Sequence, residues 1–165
     1  MHDNYIQNDL WRGFEMTTSL DILDRLISFD TVSHRSNIGL IEYVEDHLRA
    51  RNFRLHRIRD SKQDKAGLYA EIGPQIEGGI LLSAHSDVVP VDQQVWSKPP
   101  FQLTREGDRL FGRGTTDMKG FLSEMLALAD RAQNMPLRAP LKLLISYDEE
   151  IGCVGMRHMQ NHLPP

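Results

Sequence analysis

Amphipathic helical patterns that alternate with short strand patterns, together with one hairpin, predict an α/β fold. The expected architecture is three-layer αβα around a mixed, mostly parallel central sheet. With 165 residues the chain suits one domain with a proper core. A hydrophobic fraction of 40% and a charged fraction of 25% describe an ordinary globular protein, not a disordered one.

Residues 1–15 carry scattered aromatics and no regular period. They read as a disordered extension or as sequence ahead of a true start at Met16, with an ordered strap held by Trp11 and Phe14 as the alternative. Ser19 is placed to cap a helix whose Leu20, Leu23, Leu26 and Ile27 share one face. Residues 30–36 form a loop, and Asn37 caps a second helix with Ile38, Ile41, Val44 and Leu48 as its buried stripe. Arg49 and Arg51 near its end complement the helix dipole. Residues 53–59 are a weakly patterned strand, and 60–66 a solvated polar turn.

Leu68, Ala70 and Ile72 alternate with Tyr69 and Glu71, as in a half-buried strand. Gly73-Pro74 and Gly78-Gly79 bracket a turn. Ile80 to Ala84 is a short apolar run, the pattern of a strand covered on both faces. A proline-bearing loop leads to a hairpin formed by 101–104 and 109–111. Residues 118–132 make an apolar helix with Phe121, Leu122, Met125, Leu126 and Ala129 inward. Leu141 to Ser146 is another buried strand, and a last helix starts near Gly152.

Lys and Arg number 19 against 23 Asp and Glu, a formal net charge of −4. That balance lacks the basic field which nucleic acid or an anionic membrane would require. No apolar run reaches the length of a membrane span. The single cysteine, Cys153, cannot form an internal disulfide, and the first residues lack a signal peptide's apolar core. The expected location is the cytoplasm.

Three clusters sit where predicted strands end, the edge at which α/β sheets gather their sites. After the Ile80 strand comes Ser83-Ala84-His85-Ser86-Asp87-Val88-Val89-Pro90. Residues two apart in extended chain face one side, so His85 and Asp87 can converge. A metal-binding imidazole typically donates its second ring N–H to a carboxylate, although a simply packed histidine fits this pair equally well. The second cluster is Gly112-Arg113-Gly114-Thr115-Thr116-Asp117-Met118-Lys119-Gly120. It lacks the third glycine of a dinucleotide fingerprint and the Gly-Lys-Ser/Thr of a P-loop. Asp117 could cap the following helix, bridge two cations, or do both. The third cluster is Tyr147-Asp148-Glu149-Glu150. Neighbours in extended chain point oppositely, so one glutamate can bind metal while the other reaches substrate and water. A solvated acidic turn is the bland alternative.

Together the clusters supply the nitrogen and oxygen ligands of a two-zinc hydrolytic centre. No G-x-S-x-G elbow or activated thiol competes with them. A plain α/β binding module would need all three clusters to be accidental.

The order His85-x-Asp87, Gly112-Arg-Gly-x-x-Asp117-Met-Lys-Gly120 and Glu149-Glu150 resembles the metallopeptidase M20 family. Leu82 to Pro90, Trp96, Pro100-Phe101 and Ser146 to Cys153 resemble most the branch that releases acetate from N-acetylornithine in arginine biosynthesis. Pro99 departs from that pattern, since relatives usually carry Asp before Pro-Phe. The resemblance implies that residues 16–165 are the N-terminal portion of a zinc-peptidase-like catalytic domain. By it, His85 binds one zinc, Asp117 bridges both and Glu150 binds the other. Glu149 is the general base and acid, and Asp87 orients His85. Cobalt is a possible substitute metal, the partner is a small N-acyl amino acid, and full-length relatives can be homodimers. Desuccinylases and aminoacylases share these motifs.

Family chains also supply an acidic ligand and a histidine ligand further along, plus a domain that helps recognise substrate. Without them each zinc has two of the three protein ligands usual at a catalytic site. The expectation is therefore a truncated chain with weak activity alone, or a non-catalytic remnant or partner subunit whose open sheet edge makes it sticky. His158 and His162 lie on or after a helix leading away from the clusters. His34, His47 and His56 read as exposed or loop residues.

Overall fold

The computed structural model describes residues 18–62 and 64–164; the expectations for residues 1–15 lie outside them. Helix α1 spans Ser19–Ile27 and α2 spans Ile38–Arg49. Strands β1 (Arg54–Asp60), β2 (Lys65–Ile72) and β3 (Ile80–His85) follow, then the hairpin β4 (Thr104–Glu106) and β5 (Arg109–Phe111). Helix α3 (Lys119–Ala132), strand β6 (Leu141–Ser146) and helix α4 (Val154–Met159) complete the order.

The main sheet has the order β1-β2-β6-β3. On one face Leu68, Ala70, Leu143 and Ile145 pack in the cluster formed with Ile22, Leu40, Ile41, Leu122 and Leu126 of α1, α2 and α3. On the other, Ile58 and Leu144 meet Tyr147 and Met159, so α4 forms the third layer. The sheet is mixed as expected. Its parallel share is smaller than expected, because β1–β2 and β2–β6 are antiparallel and β3–β6 is parallel. The short connection between β1 and β2 permits only a hairpin, whereas β3 reaches β6 through the long crossover that a parallel pair needs.

Several local expectations change in the folded context. Thr18, not Ser19, caps α1, in a capping box with Asp21. Ile22 takes the inward position, while Leu20 is exposed. Phe121 on α3 is likewise exposed. Strand β3 is not covered on both faces: Ile80 and Leu81 are 65% and 52% exposed, and burial begins only near Ala84 and His85. It is one of the two edge strands of the described sheet, opposite β1, and its first half is largely open. Residues 60–66 are not wholly a solvated turn, since Lys65 opens β2 and is buried.

Asn37 stands at the N-cap of α2 but makes no side-chain cap bond. Its buried amide instead accepts from Ala66 N–H at 2.9 Å and donates to the Ala66 carbonyl at 2.8 Å and Ser86 Oγ at 2.9 Å. The side chain thus ties the start of α2 to β2 and to the residue after His85. His47, expected at the surface, is buried between α2 and α3. Its Nε2 lies 2.8 Å from Asp130, which also pairs with Arg51.

Asn37→Ala should lower stability by about 2–3 kcal/mol, because it orphans the buried N–H and carbonyl of Ala66; urea midpoints measure this. Burial first, then the Arg51 charge, hold the His47 imidazole below its ordinary value of 6.5, with Asp130 opposing. Between that lowered native value and 6.5 the unfolded chain binds more protons, so stability falls as pH falls through the window. His47→Gln should flatten the slope by no more than the one-proton limit of about 1.4 kcal/mol per pH unit, in urea titrations on either side of it.

Candidate metal centre

Parallel pairing sets the geometry. In register, His85 at the end of β3 lies beside Ser146 at the end of β6. The chains leaving both strands therefore start from one sheet edge. Segment 31–33 packs against the first of them: Val32 bridges Val88, and the Thr31 hydroxyl donates to the Ser86 carbonyl at 2.6 Å.

The third contributor is the turn before α3. Gly114 has φ +87°, and a Cβ there would lie 2.9 Å from Val88, so glycine is required on both counts. A Cβ on Gly120 would lie 2.3 Å from the Thr115 carbonyl. The turn is also held from behind by the fully buried Lys119, whose Nζ donates to the Phe29 carbonyl at 2.7 Å. Burial pushes this ammonium down to about 7 despite the Asp30 charge. Met118, not Asp117, is the N-cap of α3, and it makes no side-chain cap bond. Asp117 is thus free of capping duty: its side chain is 71% exposed, with Oδ1 3.1 Å from His85 Nε2.

His85 Nδ1 lies 2.9 Å from the Asp87 carbonyl and 3.5 Å from its carboxylate, so the nearer tether is the backbone oxygen. The Asp87 carboxylate has other partners. It accepts from Ser33 Oγ at 2.8 Å, Glu149 N–H at 3.1 Å and Glu150 N–H at 3.2 Å. Burial would raise its pKa, but His85, the Ser33 hydroxyl and these two amides hold it below the ordinary carboxylate range.

The two glutamates lie in a turn, not in extended chain. Asp148 has φ 54°, and the Glu149 carbonyl accepts from the N–H groups of Gly152 and Cys153. Ligand atoms of His85, Asp117 and Glu150 all fall within 4.8 Å of one another. Glu149 Oε2 lies 3.7 Å from His85 Nε2. With Asp117, Met118 and Ser146 it lines a cleft of about 280 Å³ over His85. Burial and the charges of Asp117, Asp87 and Glu149 raise the Glu150 pKa against the pull of His85. Burial opposes the charged His85 ring, yet Asp87 and Asp117 outweigh it and lift the ring to about 9. The carboxylates around this one imidazole make the site acidic, and its nitrogen and oxygen donors suit a borderline divalent cation.

All five residues singled out in the sequence therefore meet at one edge. Ser33, Thr31 and Lys65 were missed, because a serine or threonine in a loop and a lysine in a polar stretch carry no periodic signal. His158 and His162 stay apart: His158 Nδ1 contacts Tyr147 Oη at 3.0 Å, and the two rings lie 4.7 Å apart.

The peptidase family M20/M25/M40 model matches residues 81–164. Acetylornithine deacetylase of Vibrio vulnificus (strain CMCP6) is 36% identical over 156 residues, 94% of this chain and 39% of that protein. Its counterpart in Pasteurella multocida (strain Pm70) is 34% identical over 149 residues, 90% of this chain and 39% of that one. The chain thus spans about two-fifths of the length of these curated relatives. An M20 family metallo-carboxypeptidase from Sulfolobus solfataricus superposes with a TM-score of 0.76 at 25% identity, covering 87% of this chain and 34% of that one. Human carnosine dipeptidase 1 shares the fold with a TM-score of 0.75 at 22% identity, covering 87% and 34%. The family match takes in the segments that carry His85, Asp117 and the glutamate pair, and by it the chain belongs to peptidase family M20/M25/M40.

Proposed function

We propose that this chain is the N-terminal portion of the catalytic domain of a zinc-dependent hydrolase of N-acyl amino acids. The reaction would be release of acetate from N-acetylornithine, a step of arginine biosynthesis in the cytoplasm. The observation that carries this reading is the convergence of His85, Asp117 and Glu150 within 4.8 Å, with Glu149 beside them over an open cleft. The similarity to acetylornithine deacetylases supports the substrate.

His85 and Glu150 would each hold one cation, and Asp117, whose exposed carboxylate offers two oxygens, would bridge them. Zinc suits the donors, and cobalt can replace it. Bound cations would polarise the acyl carbonyl and lower the pKa of water in the cleft. The protein's own groups do the rest. Asp87 tethers the His85 ring through its carbonyl and the glutamate turn through its carboxylate. Glu149 is half exposed, and its carboxylate lies 3.7 Å from His85 Nε2 and 3.7 Å from Cys153 Sγ. It can take a proton from the attacking water and return it to the leaving amine. Two cations sharing this trio would each have two protein ligands from it, one short of the usual catalytic set.

A desuccinylase or aminoacylase would use the same trio and base, so the acyl group is the finer question. Acetate and amine release from N-acetylornithine, N-succinyl and other N-acyl amino acids tests it. Preference for N-acetylornithine supports the reading, and preference for another acyl amino acid replaces its substrate half. In the zinc-loaded protein Glu149→Gln should lower turnover roughly 10²–10⁴-fold. Asp117→Ala should weaken zinc binding by more than about tenfold, measured by chelator competition; unchanged binding would remove the metal centre.

A further inference from the structure

Below the cleft two opposite charges are sealed from solvent. Lys65, the first residue of β2, and Asp148, two residues past β6, are both buried. Lys65 Nζ donates to Asp148 Oδ1 and to the Ser33 carbonyl. The second Asp148 oxygen has no hydrogen-bond partner among the described residues. A buried pair of this kind is a poor source of stability, because desolvation of both ions offsets their attraction. Its placement suggests another use. Lys65 holds the two segments between which the glutamate turn is hung. One carries Ser33, whose hydroxyl binds the Asp87 carboxylate that receives the Glu149 and Glu150 amides. The other is Asp148 itself, whose left-handed backbone turns the chain into Glu149.

We propose that the Lys65–Asp148 pair is a positioning device that fixes the Glu149–Glu150 turn against His85 and Asp117. Lys65 pins Ser33 and Asp148 to β2, and the backbone that bears both glutamates is thereby held from two sides. The metal part of this inference rests on the centre proposed above; the ordering of the turn does not.

The test compares the wild-type chain with a Lys65→Met/Asp148→Asn double variant. It removes both charges at near-constant volume, and asparagine tolerates the left-handed backbone. Cobalt(II) binding is read by visible absorption with His85→Ala as control, and amide exchange of Glu149 and Glu150 by NMR. The double variant should stay folded with a thermal midpoint near that of the wild type. Its cobalt affinity should fall by about 10–100-fold, the usual effect of losing a group behind a ligand. Exchange at the two glutamate amides should quicken, while the amides within β6 keep their protection. If the double variant does not fold, Asp148→Asn alone, which leaves Lys65 on the Ser33 carbonyl, is read the same way. Unchanged exchange at Glu149 and Glu150 overturns the inference, as does unchanged affinity for cobalt bound through His85. If the wild-type chain takes up no cobalt, the metal reading fails separately, and the exchange data still decide whether the pair orders the turn.

Discussion

The parallel alignment of β3 with β6 is the constraint on which the site depends. Register puts His85 beside Ser146, so the two chains that leave the sheet must run side by side. One carboxylate then joins them, since Asp87 leaves β3 and receives the amides of Glu149 and Glu150, which follow β6. A slip of one residue would turn His85 to the opposite face and separate it from the glutamates. The Asn37 amide and the Ser86 hydroxyl reinforce the same edge from below, because Ser86 Oγ also donates to the Ser146 carbonyl at 2.8 Å.

Charge is arranged in two tiers around this edge. The upper tier is frustrated. Asp117, Glu149 and Glu150 crowd one imidazole, and the raised pKa values of Glu150 and His85 express the same shortage of positive charge. The lower tier is satisfied. Lys65 meets Asp148, Asp87 collects a hydroxyl and two amides, and Lys119 caps the Phe29 carbonyl. Carboxylates that repel one another are held together by well-bonded backbone, which is the condition for a preorganised cation site. The exposed first half of β3 is a separate feature, because its apolar Ile80 and Leu81 lie at the end of the strand remote from the cleft.

Much of this was legible in the chain. The strong periodicity of α1, α2 and α3 and the apolar run of β6 mark their own positions. The clusters around His85, Asp117 and Glu149-Glu150 stand out because unusual residue types recur at strand ends. Other features were less visible. Thr18 and Ser19 are both good caps, and only the reciprocal bond from Asp21 decides between them. Leu20 and Phe121 are apolar residues at the margin of their helical stripes, so the neighbours present in the fold decide their exposure. Lys65 reads as surface in any window, and its burial follows from an aspartate 83 residues later.

By itself the sequence determined the α/β class and marked the clusters around His85, Asp117 and Glu149-Glu150. These follow from local rules of side-chain period, turn chemistry and ligand chemistry. Tertiary structure alone decided that β3 lies at an edge of the sheet, that the nearer His85 tether is a backbone carbonyl, and that Asp87 binds the glutamate turn. Those outcomes depend on contacts between segments far apart in the chain, whose energies arise only when strand register and burial bring the partners together.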